Sequence, residues 1–188
     1  MTGRVVRTAS AAALAAVALL SLSGTAHAAS VGGLGVRPTH FDPNDAETRA
    51  FFKRQVSPGE SFTDSVTVTN ASNAPLSVLV SSVDGLTSQT SGAVYANRTD
   101  AVAETGGWVH VGTSTLTVPP HSDIEVPFTV DVPADAVVGD HLAGLAIEDA
   151  SPSTSGGTFS VTQVVRAVVG VEVRVGAGSG FSVVPGTP

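Results

Sequence analysis

Three observations predict an all-β chain, folded as an immunoglobulin-like antiparallel β-sandwich of about seven strands. Short segments alternate apolar and polar residues, most clearly over 123–132, where Ile124, Val126, Phe128, Val130 and Val132 share one side. Turn residues interrupt the chain roughly every eight to twelve positions, as in 57–59 (SPG), 71–75 (ASNAP) and 119–122 (PPHS). No stretch beyond Ala29 sustains an apolar period of about 3.6 residues, so helices are a minor part. Unequal strand lengths and several long connections favour a sandwich over a closed barrel.

The first 28 residues stand apart from this pattern. Arg4 and Arg7 precede an apolar run at 11–22 (AAALAAVALLSL), which is too short to span a bilayer. Thr25-Ala26-His27-Ala28 then forms a small-residue cleavage site, so an export signal removed after Ala28 is expected. Loss of its two arginines takes the formal charge from −7 to −9. The chain divides into a signal peptide at 1–28, a flexible Gly-rich lead-in at 29–36, the sandwich domain at 37–176 and a disordered tail at 177–188. A secreted, extracellular protein with no membrane anchor in this chain is the expectation.

Within the sandwich, Phe51–Val56 is a short strand closed by Ser57-Pro58-Gly59. Residues 62–70 alternate, with Phe62, Val66 and Val68 on one face, and the connection at 71–75 leads into a strand from Leu76 to Ser82. The segment 84–107 is long and polar, with only Val94-Tyr95 strand-like. Strands at 108–111 and 115–118 follow, then the turn at 119–122 and the strand at 123–132. Pro127 lies on the polar face of that strand and suits an edge position, because it has no N–H to give to a neighbour. A turn at 133–140, a strand at 141–148, a flexible loop at 149–157 and a long last strand at 158–175 complete the order. Phe159, Val161, Val165, Val169, Val171 and Val173 share one parity of that last strand.

The chain has no cysteine, which excludes disulfides, thiolate metal sites and cysteine nucleophiles. Its core must hold by alternating Val, Ile, Leu and Phe alone. An acidic balance argues against nucleic acid, whose phosphates require a basic face. His40, His110, His121 and His141 are scattered without metal-ligand spacing, and Gly139-Asp140-His141 reads as a turn entering a strand. No G-x-S-x-G elbow or triad context appears, so the chain reads as non-catalytic, with no cofactor and no metal.

Two features qualify as ligand-binding candidates. Arg49-Ala50-Phe51-Phe52-Lys53-Arg54 contains three of the seven cationic residues that follow the leader, including the single lysine. Arg49, Lys53 and Arg54 can meet the carboxylates of a peptide or an acidic partner surface. The competing reading is a first strand whose phenylalanines enter the core and whose charges keep an edge soluble. Trp108, the only tryptophan, is either a platform for a sugar ring or the buried tryptophan that sandwiches commonly hold.

Several motifs in order carry a family resemblance. They are Arg54-Gln55-Val56-Ser57-Pro58-Gly59-Glu60, then Val66-Thr67-Val68-Thr69-Asn70-Ala71-Ser72, then Trp108-Val109 and Leu116-Thr117-Val118-Pro119-Pro120-His121-Ser122. Val126-Pro127-Phe128-Thr129-Val130-Asp131-Val132-Pro133, Gly139-Asp140-His141-Leu142-Ala143-Gly144-Leu145 and the strand through Arg166 to Val175 complete the series. Over roughly 36–175 the chain resembles the N-terminal, peptidoglycan-binding domain of WxL-interacting proteins of Gram-positive cell surfaces. That resemblance implies an Ig-like, non-catalytic envelope module whose partner is cell-wall peptidoglycan or a secreted or surface protein. The alternative is a chaperone-like or structural sandwich that offers an edge strand to other secreted chains.

Overall fold

The computed structural model describes residues 33–87, 93–156 and 160–176. The expected signal peptide, the start of the lead-in, the tail at 177–188 and Phe159 of the last expected strand lie outside these residues.

The strands are β1 (Leu34–Pro38), β2 (Phe51–Val56), β3 (Ser61–Asn70), β4 (Leu76–Thr87), β5 (Ala93–Tyr95), β6 (Val109–Val111), β7 (Thr115–Val118), β8 (Ser122–Asp131), β9 (Gly139–Asp149), β10 (Ser153–Gly156), β11 (Ser160–Gln163) and β12 (Arg166–Val175). The smaller main sheet has the order β1-β3-β8-β6. The larger runs β2-β12-β9-β4-β5, with β7 also on β4, and β10-β11 form a separate ribbon. All pairings are antiparallel except β2 on β12. Two single turns of 3-10 helix, Ala46–Arg49 and Thr105–Trp108, lie between strands.

Alternation decides which side chains meet between the sheets. Val66, Val68, Val126, Phe128 and Val130 of the smaller sheet face Val78, Val80, Leu145, Ile147, Val169, Val171 and Val173 of the larger, all at most 3% exposed. Each such side chain stabilises the fold by about 1.5–3 kcal/mol relative to exposure, which is how a core without disulfides suffices. Phe52 and Phe128 meet edge-on across the interface, their centroids 4.9 Å apart.

Two buried polar side chains fasten the connections. Asn70, fully buried at the end of β3, donates from Nδ2 to the carbonyls of Ala74, Val118 and Pro119, and its Oδ1 accepts from the N–H and hydroxyl of Ser72. It ties the β3–β4 turn to the β7–β8 turn, so each polar atom of the amide is used. Asp84, 4% exposed, receives the backbone N–H groups of Ala103, Glu104 and Gly106 at 2.7–3.1 Å. A Cβ on Gly106 would lie 2.7 Å from Asp84 Oδ1, so glycine permits this capture.

The structure corrects several expectations. The lead-in expected at 29–36 already contains the start of β1: Leu34 is buried, and Leu34 to Pro38 pair with Asn70 to Val66 on β3. Gly35 and Pro38 hide this strand from any apolar pattern; the β3 edge specifies it. β4 runs on past Ser82 to Thr87, because the buried Asp84 is satisfied by the chain that crosses over it. Trp108 ends a 3-10 turn and the strand begins at Val109. The loop expected at 149–157 contains β10. The last strand is broken at 164–165: β9 ends at Asp149, whose N–H still reaches the Val165 carbonyl at 2.9 Å, and the chain before that, Ser160–Gln163, pairs with β10 instead. Pro127 lies in β8, which has neighbours on both sides, yet β6 covers β8 only from Phe128 to Val130. The Pro127 carbonyl accepts from Gly112 N–H on that side, so the missing proline N–H also points away from β3.

Candidate functional site

The site is built on β2, the edge strand of the larger sheet, and on the face of β12 turned away from the core. Because Val169, Val171, Val173 and Val175 point inward, Arg166, Gly170, Glu172 and Arg174 stand on the outer face. The parallel register pairs Gly170 with Phe51, Glu172 with Lys53 and Arg174 with Gln55, which puts Phe51, Lys53 and Gln55 on the same face. Phe52 and Arg54 have the opposite parity: Phe52 is core, and Arg54 reaches across the open end toward β3.

An open hollow of about 370 Å³ flanks β2, walled by the segment from His40 to Thr48, by Phe51 to Arg54 and by Asp64. Arg49, Lys53 and Arg54 all belong to this region, as the sequence grouped them. Each is matched. Lys53 pairs with Glu47, and that hydrogen bond holds its ammonium above the ordinary lysine pKa. Arg54 Nη2 donates to Asp64 Oδ2 at 3.2 Å and its guanidinium lies over the Phe62 ring at 5.9 Å. Arg49 lies 5.6 Å over the Phe41 ring. Asp64, with a side chain only 6% exposed, also meets His40 Nδ1 at 3.2 Å. The lining holds three aspartates, Asp42, Asp45 and Asp64, against Lys53 and Arg54, so this hollow is a mixed-charge surface with aromatic edges. Asp45 caps the 3-10 turn through Glu47 N–H, which fixes the Glu47 partner of Lys53 in place.

Trp108 is elsewhere. It is half-buried against the main core, and its ring lies 4.6 Å from that of His141. Val173 pairs with His141 on one side and Arg54 on the other, so the tryptophan stands over a strand two places from Arg54, about 10 Å across the sheet. His141 Nε2 meets the Val137 carbonyl at 2.7 Å, and the exposed Val137 and Val138 adjoin it.

The outer face also carries an aromatic lock. Gly144 and Gly170 are direct cross-strand partners. A Cβ on Gly144 would lie 2.6 Å from the Tyr95 ring, and one on Gly170 would strike the Phe51 ring and lie 2.5 Å from the Tyr95 hydroxyl. Tyr95 thus holds the β4–β5 hairpin against the sheet, over Ala146 and Val168. Burial, and then the nearby Glu172, raise its pKa, and its hydroxyl has no hydrogen-bond partner among the described residues.

Beside that lock are three residues the sequence analysis did not select. Arg98 Nε donates to Glu148 Oε2 at 2.9 Å, and Arg166 Nε stands 3.6 Å from Oε1. Arg166 is the cross-strand partner of Glu148, and its Nη2 donates to the Ala96 carbonyl at 2.6 Å. The available signal was parity: Glu148 and Arg166 are charged residues on the outer side of otherwise apolar strands. At the other end of the face, Arg174 binds Asp140 through two nitrogens at 2.6 and 3.0 Å, which lowers the aspartate pKa and raises that of the arginine. Among the described residues, no three His, Asp or Glu side chains converge in a metal-binding arrangement, and no helix is long and apolar enough to cross a membrane.

Comparison with known proteins adds the family. No curated protein sequence matches the chain. Among solved structures it is similar to a PapD-like domain of human CEP192 (9% identity, TM-score 0.42, 79% of this chain and 88% of that one). It is also similar to the Salmonella enterica SafA pilin in complex with the SafB chaperone (13%, 0.47, 78% and 56%). A third is a family 123 glycoside hydrolase from Clostridium perfringens (9%, 0.47, 76% and 27%). The chain spans less than two thirds of the last two, and nothing about function follows from these likenesses. The family model "WxL Interacting Protein, peptidoglycan binding domain" matches residues 35–149, from within β1 to the end of β9. Covering more than half of the sequence, this match shows that the chain belongs to the family of WxL-interacting protein peptidoglycan-binding domains.

Proposed function

We propose that this protein is exported through residues 1–28 and acts at the cell surface as a non-catalytic module that binds peptidoglycan. The observation that carries the reading is the family match over 35–149, which takes in the smaller main sheet and every strand of the larger one except β12. We assign the wall-facing surface to β2 and the adjoining outer face of β12, with Arg49, Lys53 and Arg54 as contact residues. The matched charges there suit a ligand rich in amides and hydroxyls, recognised by local hydrogen bonds, better than long-range attraction to a polyanion. Trp108, packed on His141, contributes at the neighbouring end of the sandwich.

The test is retention of the purified protein on cell-wall sacculi over a series of salt concentrations. Retention that survives moderate salt is expected, because short hydrogen bonds are screened less than distant charges. Absence of retention at low salt defeats the reading. Arg54→Glu places a like charge beside Asp64 and is expected to weaken retention about tenfold while the domain remains folded; unchanged retention removes β2 from the binding surface.

A further inference from the structure

A second hollow, of about 400 Å³, opens at the N-terminal end of β12, walled by Asn97, Arg98, Thr99, Glu148, Val164 and Arg166. Two guanidiniums share one carboxylate there, so the hollow has one positive charge in excess, in a chain whose formal charge is −7. The charges are partly withdrawn from water: the Glu148 side chain is 11% exposed and that of Arg166 is 21% exposed. Arg166 Nε is buried and has no hydrogen-bond partner among the described residues. Arg98 spends only Nε on Glu148, which leaves its two terminal nitrogens without an acceptor among the described residues.

Fastening the segment around Arg98 to the sheet requires only one cation for Glu148. A second guanidinium held out of water raises the electrostatic cost of the cluster unless another anion joins it. A planar guanidinium with a free edge is matched in shape to a carboxylate, which accepts two parallel N–H bonds from it. Val164, 53% exposed, adds a small apolar wall beside the cations. The hollow falls within the size range of small-molecule sites.

We propose that this hollow binds the free carboxylate that ends a short alanine-terminated peptide, with Arg98 forming the bidentate contact and Arg166 neutralising the second charge. Val164 receives the alanine methyl group. The source of such a peptide, the stem peptides of the wall, rests on the peptidoglycan reading; the carboxylate chemistry rests on the charge count. Gly170, four residues along β12 from Arg166, pairs with Phe51, so the hollow lies about 13 Å from β2 and within reach of one wall fragment that touches both.

The test is a titration of the purified protein, followed by its backbone amide NMR signals, with N-acetyl-D-alanyl-D-alanine, with the same dipeptide as its C-terminal amide, and with inorganic phosphate. The acid is expected to move the signals of Asn97 to Thr99 and Arg166, and the amide to bind at least tenfold more weakly. Arg98→Gln is expected to lose at least tenfold in affinity for the acid, with Arg98→Lys in between. An unchanged thermal midpoint shows that the variants are folded; if Arg98→Gln unfolds, the acid-to-amide ratio of the unsubstituted protein decides. Equal binding of acid and amide, no shift with either, or tighter binding of phosphate overturns the proposal. Failure of the wider reading is seen separately, as a protein that binds the acid dipeptide but is not retained on sacculi.

Discussion

The two charged hollows of this sandwich differ in how their cations are matched. Beside β2, Arg49, Lys53 and Arg54 lie within six residues of sequence, yet Lys53 and Arg54 each meet an acid and Arg49 lies on a phenylalanine ring. At the start of β12, Arg98 and Arg166 lie far apart in sequence and converge on the single carboxylate of Glu148. Local charge density in a sequence therefore says little about free charge on a surface. The excess is set by which strands the register brings together.

The largest expected effect comes from loosening the chain that crosses over β4, a few residues beyond the second hollow. Asp84→Ala leaves three backbone N–H groups near the crossing chain without their acceptor and should cost about 3 kcal/mol or more in urea unfolding. In the fraction that remains folded the ion pairs of both hollows are expected to survive, because none of them uses the Asp84 side chain. Gly170→Ala strikes the wall between the hollows, where a Cβ meets the Phe51 ring and the Tyr95 hydroxyl, and should cost about 2 kcal/mol by overpacking. A chemical-denaturation midpoint equal to that of the unsubstituted protein would show that the aromatic lock is slack.

Smaller effects sharpen the contrast. Arg54→Gln removes one partner of the nearly buried Asp64 and should cost about 1 kcal/mol, because His40 remains beside that carboxylate. Tyr95→Phe deletes a hydroxyl without a partner among the described residues, so the thermal midpoint at neutral pH should move by no more than the equivalent of about 0.5 kcal/mol. Burial raises the folded-state pKa of Tyr95, so the folded protein should lose stability as pH rises above about 10, where the unfolded tyrosine ionises first. The Phe variant should lack that component of the alkaline slope. Smallest is Asp140→Asn. Arg174 depresses the Asp140 pKa, so this pair stabilises at neutral pH and the benefit fades as pH falls below about 4. At so exposed a position the variant should differ from the parent by a few tenths of a kcal/mol, and only above that range.

The legibility of the fold follows the same division. Over 123–132 every second residue is apolar, and β8 is where that pattern places it; the core positions Phe128 and Val130 are read directly. β1 was hidden because Gly35 and Pro38 interrupt any pattern over five residues, and it is a strand because β3 presents an edge to it. The continuation of β4 to Thr87 was hidden because Asp84 looks like a turn residue until the chain that caps it is in place. Arg49, Lys53 and Arg54 were legible as a cluster because one short segment carries them. Arg98, Glu148 and Arg166 were not, because 50 residues separate the first two and only the β9–β12 register aligns the last two.

The sequence by itself determined the class of fold: alternation along each strand buries one row of side chains, and Val, Ile, Leu and Phe in those rows supply enough apolar area to hold a core without cysteine. Its ordered motifs also pointed to the family. Only the tertiary structure decided which charges are spent and which are left over. An ion pair forms where pairing across strands places two side chains within a few ångströms, and that distance is a property of the register, invisible in the order of residues along the chain.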